Sequence, residues 1–175
     1  MATWNLDKAH SELEFKVKHM MISNVKGQFQ DFDVTVDSSS ADLSQAQVNV
    51  EIKTNSVTTK NEPRDQHLRG EEFFNSSTFP DITFKSTEIS KIDEHEFSLL
   101  GDLTIKGVTK PAVFTAAFGG VAKDPWGNQK AGYSVYGKIN RQDFGLTWNA
   151  ALETGGVMVS EEVKFHADVQ FVLAQ

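Results

Sequence analysis

Apolar and polar residues alternate along most of this chain with a period of two, and that period limits the fold class more than any other feature. Successive side chains of a strand point to opposite faces. Leu13-Glu14-Phe15-Lys16-Val17-Lys18-His19 therefore puts Leu13, Phe15 and Val17 on one buried face and the charges on the other. Val25-Lys26-Gly27-Gln28-Phe29 repeats the pattern, after which the phase slips by one residue and Phe32, Val34 and Val36 carry the apolar face. A slip of this kind marks a β-bulge, which bends a strand where a sheet curls. Further apolar positions follow at Val48/Val50/Ile52, Ile82/Phe84, Phe97/Leu99, Leu103/Ile105, Val113 to Phe118, Tyr133/Val135 and Val163 to Phe171. The reading is all-β with about eight strands. Turn signals separate them at Asp37-Ser38-Ser39-Ser40, Gly119-Gly120 and Pro125-Trp126-Gly127-Asn128. Short connections make the strands antiparallel, in a sandwich or a barrel. Gly27, Gly101 and Gly137, inside strand patterns, favour the sharper coiling of a barrel. At 175 residues the chain suits one domain spanning 1–175.

One stretch departs from the period. Asn61-Glu62-Pro63-Arg64-Asp65-Gln66-His67-Leu68-Arg69-Gly70 has proline and acids early and glycine last, the start and stop signals of a helix of about two turns. Phe73-Phe74 follows, two adjacent large apolar residues that fit beneath a short helix lying across one barrel end.

Thirteen Phe against three Trp and two Tyr supply apolar area with few polar groups to satisfy, which suits either a dense core or an apolar cavity. The net charge of −7 argues against nucleic acid as a partner and disfavours docking on an anionic membrane surface. The absence of cysteine excludes disulfides, thiol nucleophiles and Cys–zinc sites. The first residues lack the basic and apolar regions of a signal peptide, and no run reaches the roughly 20 apolar residues of a spanning helix. The expected location is cytoplasmic, or periplasmic if a leader has been removed.

His19 continues the inward face of Leu13, Phe15 and Val17; it is either hydrogen-bonded to a neighbour or set at a barrel mouth. The helical stretch is either a solvated face or a lid whose Arg64, His67 and Arg69 meet a phosphate or quinol-like head group. His10-Ser11 reads as a hydrogen-bonded turn at a strand entrance, since no third orienting group or nucleophile elbow accompanies it. His10, His19, His67, His95 and His166 show no metal-ligand spacing, so no metal is expected.

Several stretches taken in order resemble the YceI-like family of polyisoprenoid-binding proteins. They are Trp4-Asn5-Leu6-Asp7-Lys8-Ala9-His10-Ser11, Val25-Lys26-Gly27-Gln28-Phe29, Arg64-Asp65-Gln66-His67-Leu68-Arg69 with Phe73-Phe74, Phe79-Pro80-Asp81-Ile82-Thr83-Phe84, Gly101-Asp102-Leu103-Thr104-Ile105-Lys106-Gly107, and Arg141-Gln142-Asp143-Phe144-Gly145-Leu146. The resemblance implies an antiparallel, lipocalin-like β-barrel, often a homodimer, whose lumen holds a long isoprenoid chain. Periodicity alone would make the apolar faces a packed core. The resemblance makes them a lumen: Phe15 and Val17; Val25 and Phe29; Phe32 and Val34; Phe84; Leu103 and Ile105; and Phe144, Val163 and Phe165. His19, Arg64 and His67 would stand at its mouth. The expected ligand is an isoprenoid quinone or prenyl precursor, bound without a catalytic cofactor. The alternatives are broad sequestration of lipophilic compounds, an enzyme acting on a hydrophobic substrate with His10, His19 and the helical segment as acid–base groups, and a structural partner protein. The segment from Trp148 to Glu162 is longer than a simple turn.

Overall fold

The alternating segments close into an antiparallel barrel, described by a computed structural model over residues 2–38, 45–149 and 158–174. Its strands are β1 (Ala2–Leu6), β2 (Glu12–His19), β3 (Ser23–Phe29), β4 (Phe32–Ser38), β5 (Gln47–Lys53), β6 (Val57–Thr58), β7 (Asp81–Lys91), β8 (Glu96–Ile105), β9 (Val108–Lys123), β10 (Gln129–Asn140) and β11 (Val159–Leu173). β1 pairs with both β4 and β11, which joins β1-β4-β5-β7-β8-β9-β10-β11 into a closed eight-stranded ring. β2 prolongs β1 along the same edge of β11, while β3 runs into β4 and β5 into β6. The barrel thus has eight courses, three of them kinked.

The phase slip after Phe29 is one of these kinks. Gln30 and Asp31 leave the ladder between β3 and β4, and their backbone pairs with the turn after β5: Lys53 N–H donates to Asp31 O at 2.9 Å. Beyond the kink β6 pairs with β3 but not with β7, so the wall parts there. The helix α1 (Glu62–Arg69) follows β6 directly and packs on it, and Phe73 is buried beneath it.

The sequence signals for α1 have their expected roles. Asn61 accepts from Arg64 N–H at 3.2 Å as the N-cap, and Pro63 occupies the first turn, where a missing N–H costs nothing. Asp65 is 3 % exposed and accepts from both the backbone N–H and the hydroxyl of Thr59. This ties the helix to β6. Replacing Asp65 by Ala leaves two buried donors unpaired and is expected to cost about 2–4 kcal/mol, read as a drop in the urea midpoint.

At the other end, Asp7 joins β1 to the hairpin of β9 and β10. It accepts from Lys130 Nζ at 2.7 Å and pairs with His10 Nδ1 at 2.9 Å. Ser11 donates to Asp7 O and accepts from Gln170 N–H, which is the strand-entrance turn expected of His10-Ser11. The Lys130 ammonium holds the Asp7 carboxyl below the usual carboxylate range. A depressed folded-state pKa stabilises above the unfolded value of about 3.9 and is lost as the pH falls through the folded value. Asp7→Asn should therefore lower stability by about 1 kcal/mol at neutral pH. Melting curves of variant and wild type should begin to converge as the pH falls below about 4 and coincide only below the depressed folded value.

Three expectations require correction. Gly119-Gly120 is not a turn: both residues lie inside β9, where Gly132 faces Gly120 and Tyr133 faces Phe118, leaving Gly119 as a bulge. The chain reverses at the expected Pro125-Trp126-Gly127-Asn128 turn, where the Asp124 carboxylate accepts from the backbone N–H groups of Trp126 and Asn128. Phe97/Leu99 and Leu103/Ile105 belong to one strand, β8, bent at Gly101 opposite the bulge of β7. β1 itself was not among the expected strands. Ser39-Ser40, and residues 150–157 of the long segment before β11, lie outside the described residues.

Candidate ligand cavity

The inward faces do not meet. The barrel encloses a chamber of about 500 Å³, walled almost wholly by aliphatic and aromatic side chains from every course of the ring. A second chamber of about 460 Å³ lies under α1, between β2, β3 and the first part of β11. Ile82, Ile105 and Phe165 line both chambers and so form the wall between them.

The expected lumen residues divide between these spaces. Phe32, Val34, Phe84 and Leu103 face the main chamber, and Phe15, Val17, Val25, Phe29 and Val163 face the second. Phe144 faces neither. It is 2 % exposed but sits in the 3₁₀ turn Arg141–Phe144, where strand alternation does not set side-chain direction, and it fills the core behind the cavity wall.

His19, Arg64 and His67 all line the second chamber, as a mouth cluster would. Two of them have their polar ends engaged elsewhere. Arg64 Nε donates to Thr59 Oγ1 at 2.8 Å and its Nη2 to Thr59 O at 3.1 Å. His67 Nε2 lies 2.7 Å from Glu72 Oε2, and its ring stands edge-on to Phe73 and Trp148. These two present mainly carbon to the chamber. Arg69 lines neither chamber; its Nη1 pairs with Glu62. The His19 ring has no hydrogen-bond partner among the described residues, contrary to the commoner expectation for an inward histidine. His10 lines neither chamber. Among the described residues no group of three His, Asp or Glu could hold a metal ion.

Two residues that matter here, Tyr133 and Arg141, were not among the expected site residues. Tyr133 lines the main chamber between Phe118 and Phe171, and its hydroxyl has no partner among the described residues. Burial pushes its pKa up to about 12, so it is a neutral donor in an apolar space. Arg141 is 3 % exposed and donates to three backbone carbonyls, those of Leu146, Val159 and Ser160. It thereby staples the edge of the second chamber, where Trp148 packs on His67. A buried arginine paired only with carbonyls has no periodic signature.

A closed antiparallel barrel around an apolar interior, with a short helix over a parted wall, is a lipocalin-like architecture. The sequence matches the YceI-like domain over residues 4–171, and the chain belongs to that family. A UPF0312 protein of Staphylococcus aureus is 44% identical over 176 residues, covering 100% of both chains. The Campylobacter jejuni YceI protein superposes with a TM-score of 0.78 at 38% identity, covering 97% of this chain and 96% of that one. Two more distant structures share the fold: Burkholderia cenocepacia BcnA (TM-score 0.80, 22% identity, 94% and 98% covered), and a polyisoprenoid binding domain from Saccharophagus degradans (0.73, 14%, 98% and 98%).

Proposed function

We propose that this protein is a lipid-binding protein rather than an enzyme, and that it holds a polyisoprenoid chain in the main chamber as a carrier or reservoir. The observation that carries the reading is the chamber itself, whose wall offers carbon nearly everywhere and almost nothing to polarise a bond. Each buried CH₂-sized group of a ligand contributes about 0.8 kcal/mol. Four or five isoprene units therefore supply on the order of 16–20 kcal/mol, which after association costs of about 4–15 kcal/mol leaves room for the about 8 kcal/mol of micromolar binding without a specific polar contact. The name of the Saccharophagus degradans domain supports an isoprenoid over a straight acyl chain. A chain too long for the main chamber would pass Phe165 into the second.

Tyr133 favours a ligand whose uncharged head group accepts a hydrogen bond, such as an isoprenoid quinone. Titration with prenyl compounds of graded length should show affinity rising with each isoprene unit until the interior is full. Tyr133→Phe should weaken a quinone-headed ligand about 5–10-fold and leave the bare hydrocarbon unchanged. Affinity independent of chain length would overturn the proposal. Equal binding of a broad set of lipophilic compounds would replace it with sequestration.

A further inference from the structure

The sheet register sets four lysines in a straight row across four neighbouring strands. Lys138 of β10 faces Lys164 of β11, Lys164 faces Lys16 of β2, and Lys16 faces Lys26 of β3. Residues directly opposite share a face. This face is the outer one, because the flanking positions Phe15, Val17 and Val163 point inward. None of the four makes an ion pair among the described residues. Like charges directly opposite destabilise a sheet, so the row opposes folding. Lys18 stands one row nearer the end of the hairpin; the carboxylates around this face are Glu14 on one side and Glu161 and Glu162 on the other.

The same hairpin ends in Met20-Met21-Ile22. These residues are 40%, 60% and 83% exposed, and Ile22 N–H bonds back to His19 O at 3.2 Å. Met20 and Met21 have φ of 53° and 61°, in the left-handed region where such a turn ordinarily takes Asn and Gly. Three bulky apolar side chains therefore project from a strained turn, next to His19 on the edge of the second chamber. The lysine row lies four residues back along each strand of the hairpin, about 13 Å.

We propose that this end of the barrel docks on an anionic lipid bilayer, with Met20, Met21 and Ile22 entering the interface and Lys16, Lys18, Lys26, Lys138 and Lys164 facing the headgroups. The net charge of −7 pointed away from such a surface, but a total does not say where charges sit. The register concentrates positive charge here, and an apolar tip beside it matches a bilayer's layered chemistry better than an acidic protein's surface. The second chamber adjoins the tip, so docking would set a cavity against a source of long apolar chains.

Vesicle flotation of the full chain tests this without any knowledge of the ligand. Binding is expected to phosphatidylglycerol-containing vesicles, weakening as salt is added. Binding to pure phosphatidylcholine should be much weaker. Changing Lys16, Lys26, Lys138 and Lys164 to Gln should reduce partition about fivefold per lysine. Met20→Asn with Met21→Gly gives the turn its preferred residues, so the hairpin keeps or gains stability while vesicle binding falls. Failure to bind anionic vesicles at low salt overturns the proposal, even if the lysines capture an acidic protein. Equal binding to both vesicle types, or full binding by both variants, overturns it as well.

Discussion

Ala116→Trp, alone or with Ala167→Phe, is expected to abolish uptake of a long apolar chain while leaving the barrel folded. Both alanines line the main chamber, on β9 and β11. An indole there occupies space the ligand needs. Excluding only four CH₂-sized groups forfeits about 3 kcal/mol, roughly a hundredfold in affinity. In a packed core the same substitutions would force side chains out of their rotamers and cost about 1–3 kcal/mol. In a hollow barrel they add apolar contact, so the melting temperature should hold or rise. Fluorescent-probe displacement and a thermal melt on the same samples separate the two cases. A folded variant that binds as tightly as wild type would show that the main chamber is not the binding site.

The second large effect is structural. Gly101 lies at the bend of β8, where an added Cβ would come well inside 3.0 Å of both the Lys85 carbonyl oxygen and the Phe84 ring. The carbonyl belongs to a paired strand and cannot move away without breaking the ladder between β7 and β8. Gly101→Val is therefore expected to cost about 3 kcal/mol or more, measured by urea denaturation, or to prevent folding. Gly120→Ala is the contrast: nothing lies within 4 Å of its Cβ, so only its φ of +124° opposes the change. The variant should lose about 1 kcal/mol.

Much of this architecture was legible because strand alternation is a local signal that the closed barrel preserves. Phe15 and Val17, and Phe32 and Val34, face inward as their spacing requires, and even the kink after Phe29 shows as a slip in phase. Where the signal failed, the reasons are physical. β1 alternates only through Ala2, Trp4 and Leu6, too short a run to separate from noise, and its strand character comes from β4 and β11 on either side. Gly101 reads correctly as a strand glycine, but with no side chain it interrupts the apolar face between Leu99 and Leu103, and only the register with β7 joins the two pairs into one strand. Phe144 carries the composition of a lumen residue without the strand geometry that would aim it.

The site was less legible than the fold. Alternation identifies which residues face inward but not whether the space between them is filled, since that depends on summed volumes across eight courses. His19, Arg64 and His67 do line one chamber, yet Arg64 and His67 spend their polar atoms on Thr59 and Glu72, contacts that depend on how α1 docks. Tyr133 alternates like any core residue; its unpartnered hydroxyl appears only in three dimensions. The lysine row was equally hidden, because its members are scattered from position 16 to position 164 and only the register aligns them.

The most direct test of a barrel that holds an apolar chain is native mass spectrometry of protein purified without detergent. The account predicts a species heavier than the 19.4 kDa chain, the excess mass released by organic extraction as a prenyl lipid, and loss of that species in Ala116→Trp. Protein that carries only its own mass, and takes up no prenyl lipid when one is offered, would contradict it.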